Sequence, residues 1–143
     1  MNRDEIERCI PHRPPFLWID EIVEIGENSL RARTFVDPKH EVFAGHYPHF
    51  PVLPGVLLCE MALQAGAVLI AKVQALADGA VPVATRLNNA QFRRMVRPGD
   101  TVETEVVLTE RLANAYFLTG RLTVDGRLAA RLEFACAAAP IEG

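Results

Sequence analysis

Pro54-Gly55-Val56-Leu57-Leu58-Cys59-Glu60-Met61-Ala62-Leu63-Gln64-Ala65-Gly66-Ala67-Val68-Leu69-Ile70-Ala71 is apolar on nearly every side when read as a helix. A helix without a polar face must be surrounded by protein, so this stretch decides the architecture: the rest of the chain has to wrap it. The spacing predicts a start at about Pro54 or Gly55, where a proline in the first turn costs no hydrogen bond, and an end at about Ala77, before Asp78-Gly79. The apolar run from Val56 to Ala71 is shorter than the roughly 20 residues of a bilayer span, and Glu60 and Gln64 interrupt it. It reads as the buried helix of a soluble fold.

The flanking sequence supplies the wrapper. Phe16 to Glu24 and Ser29 to Val36 alternate between apolar and polar residues around the turn residues Gly26 and Asn28, as two antiparallel strands do. Val83 to Arg94 reads as a further strand, turned by Pro98-Gly99 into Thr101 to Leu108, where Val102, Thr104, Val106 and Leu108 share one face. Tyr116, Leu118, Leu122 and Val124 keep the same period, and Asp125-Gly126 is a strong hairpin signal before Leu128 to Cys136. A short first helix, capped by Asn2 or Asp4, ends before Pro11, and the alanine-rich end after Ala135 is expected to fray. The expected fold is α+β: about six antiparallel strands curled around one long helix, preceded by a short one.

A length of 143 residues suits one domain spanning 1–143. The net charge of -3 argues against a nucleic-acid binder. Three cysteines without C-x-x-C pairing fit a reducing cytoplasm better than a disulfide frame, and the acidic N-terminus, Met1 to Arg8, does not resemble a secretory signal. Locally the charge reverses. Arg86, Arg93, Arg94 and Arg97 form a basic cluster that is either a solvated strand edge or an anion-docking patch.

Prolines 38, 48, 51 and 54 stiffen an irregular loop over residues 37–54, and long loops of this kind are usually functional. Within it, His46 lies between Gly45 and Tyr47-Pro48, which hold its backbone, and imidazole can take a proton near neutral pH. Glu60 follows fourteen positions later among Leu57, Leu58, Cys59, Met61 and Leu63, and Gln64, one helical turn on, can orient it. Apolar surroundings favour the neutral, proton-donating form of a carboxyl group. A base and an acid together suit an elimination. The expected cap position of the central helix, Leu53, offers no capping side chain, so the N–H groups of Gly55 and Val56 are open to a ligand carbonyl, or else to water and loop carbonyls. A metal site built from His40, His46 and His49 matches no familiar spacing.

Three motifs resemble the hot-dog-fold 3-hydroxyacyl-(acyl-carrier-protein) dehydratases of the FabZ type: Pro11-His12-Arg13-Pro14-Pro15-Phe16-Leu17-Trp18-Ile19-Asp20, Gly45-His46-Tyr47-Pro48 through Pro54-Gly55 to Glu60 and Gln64, and Phe92 to Asp100. Glutamate rather than aspartate at position 60 points to the FabZ type over the FabA type. The resemblance implies reversible dehydration of a 3-hydroxyacyl thioester to the trans-2-enoyl thioester in fatty acid or related lipid synthesis, with no metal or redox cofactor. It casts His46 and Glu60 as catalytic groups, the N–H of Gly55 or Val56 as the carbonyl-polarising group, and Pro54, Tyr47 and Gln64 as their support. It further implies an active homodimer with sites shared between subunits, often assembled into a hexamer, and acyl carrier protein docking on Arg93, Arg94 and Arg97. This chain has His49-Phe50 where family members usually carry Gly and a charged residue, and Asn88-Asn89-Ala90-Gln91 lacks acidic residues often found there. Two rivals share the fold: an acyl-thioester hydrolase in which Glu60 activates water, and a non-catalytic acyl-binding or assembly subunit.

Overall fold

The computed structural model describes residues 1–47, 49–73 and 80–140. Asn2 caps the first helix, α1 (Arg3–Cys9), and the reciprocal bonds between Asn2 and Glu5 satisfy two otherwise unpaired N–H groups. Six strands follow: β1 (Glu21–Ile25), β2 (Ser29–Phe35), β3 (Ala80–Phe92), β4 (Thr101–Leu112), β5 (Ala115–Val124) and β6 (Arg127–Pro140). They form one antiparallel sheet in the order β1-β2-β4-β5-β6-β3, so β1 and β3 are its edges. The central helix, α2 (Gly55–Val73), packs against β2, β3, β4, β5 and β6.

Alternation explains the wrapping. Along β4 the side chains of Val102, Thr104, Val106 and Leu108 are buried and face the helix, while Glu103 and Glu105 pair outward with neighbouring strands. From α2, Leu58, Met61, Ala62, Ala65, Val68, Leu69 and Ile70 are almost fully enclosed. Each large apolar side chain enclosed in this way contributes about 1.5–3 kcal/mol relative to an exposed one. Gly66 lets the helix seat closely, since a Cβ there would lie 2.8 Å from the ring of Phe134. Although α2, at 19 residues, has the length and apolarity of a membrane span, the sheet takes up its surface.

The structure departs from the sequence reading at several places, among them the strand read as Thr101 to Leu108, which continues to Leu112. The first strand begins at Glu21 rather than Phe16, because the Gln64 side chain claims the Trp18 N–H and the Phe16 carbonyl before a neighbouring strand can. The loop over 37–54 contains a short 3₁₀ helix, Glu41–Ala44, capped by the His40 side chain. The alanine-rich end does not fray: β6 continues to Pro140, with Ala137, Ala138 and Ala139 paired to β3 and Ala137 also to β5. The strand read as Val83 to Arg94 spans Ala80–Phe92. The expected helix end at Ala77 to Gly79 lies outside the described residues, as does Pro48. At the β5–β6 connection, Asp125 and Gly126 both take positive φ, 51° and 76°, the tight turn that the Asp-Gly pair predicts.

Candidate active site

His46 is held by backbone. Its Nδ1 lies 2.9 Å from the carbonyl oxygen of Val52. A carbonyl can only accept, so Nδ1 carries the proton and Nε2 keeps its lone pair, which is the tautomer a general base requires. The next residue, Tyr47, sits at φ 50°, a left-handed conformation that costs a non-glycine residue about 1–2 kcal/mol, and its ring meets the imidazole edge-on at 4.6 Å. Strain of this kind persists only where surrounding contacts over-determine it, and here it sits beside the candidate base.

His40 has a different task. Its Nδ1 accepts from the Val42 N–H at 3.0 Å, its Nε2 lies 3.0 Å from the Pro15 carbonyl, and its ring tilts over Trp18 at 4.5 Å. Nδ1 thus caps the 3₁₀ helix of its own loop, while Nε2 and the ring face fasten that loop to Pro15 and Trp18. Among the described residues no three His, Cys, Asp or Glu side chains gather as metal ligands.

The ring of His46 opens onto a cavity of about 610 Å³ lined also by Gly55, Val56, Leu58, Phe92 and Arg93. Among the described residues the central helix has no capping side chain; it starts at Gly55, within the expected Pro54 or Gly55, with Pro54 before its first turn and the Leu53 N–H paired to the Val96 carbonyl. Among the described residues the N–H groups of Gly55 and Val56 have no hydrogen-bond partner. Uncapped N–H groups at the positive end of a helix attract an oxygen that gains negative charge. A Cβ at position 55 would lie 3.0 Å from the ring of Phe92, so any larger residue there needs that exposed ring to shift.

Glu60 is held by a side chain. Gln64, fully buried, donates from Nε2 to Glu60 Oε2 at 3.0 Å and to the Phe16 carbonyl at 2.8 Å, while its Oε1 accepts from the Trp18 N–H at 2.8 Å. The amide therefore cannot rotate without leaving buried groups unpaired. His12 Nε2 approaches the same carboxylate oxygen at 3.6 Å. Burial lowers the pKa of His12 against the opposing pull of Glu60, with nearby Arg13 lowering it further. Glu60 and His12 line a separate cavity of about 280 Å³, bounded by Leu63, Cys136 and the edge residues Val81–Ala84 of β3. Burial pushes the Cys136 thiol up to about 11, so it remains protonated in this cavity.

Within one protomer, then, His46 joins the helix start but does not meet Glu60; the two line different cavities. The basic cluster divides as well. Arg93 and Arg94 line the His46 cavity, and Arg94 also borders an open one of about 700 Å³ with Arg97, Asp125 and Arg127. Arg97 lies 4.5 Å over the ring of Phe50, whereas Arg86 sits farther along β3 opposite Ala135. Sequence spacing missed Arg127, which the β5–β6 hairpin delivers from thirty positions away. It also left His12 without a task, since its partner is far along the chain and its only local signal was a histidine framed by Pro11 and Arg13.

A family model, the FabA-like domain, matches residues 10–133. A 3-hydroxyacyl-(acyl-carrier-protein) dehydratase FabZ of Aromatoleum aromaticum is 39% identical over 140 residues, covering 96% of this chain and 97% of the relative. One from Petrotoga mobilis is 35% identical over 134 residues, covering 93% and 94%. Among solved structures, the dehydratase heterocomplex ApeI:P from Xenorhabdus doucetiae superposes with a TM-score of 0.77 at 17% identity, covering 94% of this chain and 90% of that one. A hypothetical thioesterase with coenzyme A from Streptococcus pneumoniae reaches 0.67 at 12% identity, covering 84% and 85%. At these identities the structural likenesses show the hot-dog fold alone.

Proposed function

The chain belongs to the FabA-like domain family, and on that premise we propose that it is a 3-hydroxyacyl-(acyl-carrier-protein) dehydratase, which removes water reversibly from the acyl thioester to give the trans-2-enoyl thioester. The observation that carries this reading is the Nδ1–Val52 bond: it leaves His46 Nε2 bare, in the same cavity as the uncapped helix start.

The thioester carbonyl would lie against the N–H groups of Gly55 and Val56, which stabilise the negative charge as His46 Nε2 takes the proton from the neighbouring carbon. Electrons from that C–H bond form the new double bond, and the C–O bond to the 3-hydroxyl breaks. Glu60, in its carboxylic acid form, gives its proton to the departing oxygen, so that one water leaves. His46 holds one proton and Glu60 lacks one at that point, and a transfer between them through water restores both.

Such a step needs the two groups on opposite sides of one substrate. Since they line different cavities in one protomer, we infer a homodimer in which the carboxyl side of one copy completes the imidazole side of the other, with hexamer formation as a further level. The placement of the Glu60 cavity along Val81–Ala84 of β3, a sheet edge, supports this. The substrate would arrive on the phosphopantetheine arm of acyl carrier protein, an acidic partner suited to Arg93, Arg94 and Arg97. An apolar acyl chain held between helix and sheet gains about 0.8 kcal/mol per buried methylene.

Following enoyl-thioester absorbance with purified protein tests the reading. Turnover on acyl carrier protein or coenzyme A thioesters is expected. Release of free thiol without enoyl product would instead identify a hydrolase, and binding without either product would identify an acyl-binding subunit.

A further inference from the structure

His12 faces the oxygen of Glu60 that Gln64 already bonds, and among the described residues that line the cavity no other brings an N–H side chain to that carboxyl group. Among the described residues the titratable and charged groups facing the histidine are Glu60 on α2, Cys136 on β6 and Arg13 on its own loop, while β3 contributes Val81, Pro82, Val83 and Ala84. Arg13 is engaged elsewhere: its guanidinium donates to the carbonyls of Glu7, Ile10 and His12 and pairs with the Glu7 carboxylate at 3.1 Å. It braces the loop that carries His12 and leaves the carboxyl group alone.

The tautomer of His12 follows from its two sides. Nδ1 is buried without a hydrogen-bond partner among the described residues, and Nε2 faces a carboxylate oxygen that can only accept when ionised. A buried lone pair is less costly than a buried N–H left unpaired, so the ring proton belongs on Nε2. Burial also lowers the pKa of the ring, which keeps it neutral at pH 7. It therefore acts as a polar N–H pointing at Glu60 instead of as a full counter-charge.

We propose that His12 is a positioning residue for Glu60: Gln64 hydrogen-bonds Oε2 at 3.0 Å and His12 Nε2, 3.6 Å from the same oxygen and beyond hydrogen-bond length, turns a second polar N–H toward it, so that the proton given to the substrate is carried on Oε1. One bonded donor and a second N–H turned toward the same oxygen make that oxygen the poorer site for a proton, and the other oxygen is left to present it. This makes the carboxyl group one-sided before substrate enters, which is the preorganisation that an acid at a leaving group requires. The inference rests on the dehydratase reading above.

Kinetics of H12L, H12Q and H12N on an enoyl thioester test it. Leucine removes the N–H with little change in volume; glutamine can return an N–H near the position of Nε2; asparagine is polar but too short to reach. The expected result is that H12L and H12N lower kcat by about 10–100-fold with KM little changed, and that H12Q recovers to within about threefold of the wild type. Loss of a donor facing the carboxylate favours its protonated form, so the alkaline limb of the kcat profile should move to higher pH in H12L and return in H12Q. Two results overturn the proposal while leaving the dehydratase reading intact: an active wild type with H12L unchanged in rate and profile, or equal losses in all three variants with the limb unmoved, which marks a merely structural role. A wild type that forms no enoyl product sinks the underlying reading instead.

Discussion

The imidazole of His46 and the carboxyl group of Glu60 are fixed by opposite means. His46 stands on an irregular loop, and what sets it is backbone: the Val52 carbonyl behind the ring and the left-handed turn at Tyr47. Glu60 stands on a rigid helix, and what sets it is side chains, Gln64 and His12, reaching from one turn on and from a distant loop. The contrast teaches where each half of the candidate site is vulnerable. A backbone hold survives many side-chain changes around it, whereas a side-chain network fails when a single member is lost.

The largest expected effect tests the loop half. His46→Ala should lower kcat/KM by about 10²–10⁴-fold, the usual contribution of a general base, with little change in melting temperature because the ring is only partly buried and donates one bond. A variant within tenfold of the wild type in an enoyl-thioester assay would remove His46 from the chemistry. Next is the helix half. Gln64→Leu deletes three hydrogen bonds and strands the Trp18 N–H and Phe16 carbonyl, so thermal unfolding should show a loss of about 3 kcal/mol together with a fall in activity. If Q64L is as stable as the wild type, the contrast between the two halves is lost.

These particular residues also show how much a chain discloses before folding. Helix and strands were legible because burial imposes a period, as the buried Val102, Thr104, Val106 and Leu108 on β4 illustrate. His46, Glu60 and Gln64 were legible as candidates because they lie on one short stretch around the helix start. The strand boundary at Phe16 was not, since its backbone answers to Gln64 48 and 46 positions away at Phe16 and Trp18, and no local pattern carries that pairing. His12 was hidden for the same reason. The alanine end was misread because small side chains look weak in isolation, while in the sheet both neighbours, β3 and β5, take up its backbone groups.

Smaller effects sharpen the comparison. His12 has a folded-state pKa below its unfolded value, so the unfolded chain binds the additional proton, and the stability this contributes is present above about pH 6.5 and lost as pH falls through the folded pKa. Melting temperature should therefore drop on acidification more in the wild type than in His12→Leu; equal slopes would show that burial of the ring carries no such linkage. The smallest effect is on the cysteines. Cys136, pushed up to about 11 by burial, and the buried Cys59, also raised, should resist a thiol-labelling reagent at pH 7.5 in the native protein, while the partly exposed Cys9 reacts. Rapid labelling of all three would reveal that the carboxyl side opens far more readily than its packing implies.

The guanidinium of Arg13, gripping three carbonyl oxygens and the Glu7 carboxylate at the foot of α1, gives that seven-residue element a significance out of proportion to its size. Positional error is inherited along such a linkage: a slackened Asn2 cap loosens the first helix, the helix loosens the arginine, and the arginine lets the adjacent histidine drift. Evolution or engineering can thus detune the proposed acid, Glu60, from the periphery of the molecule, without altering a single atom that lines the cavity.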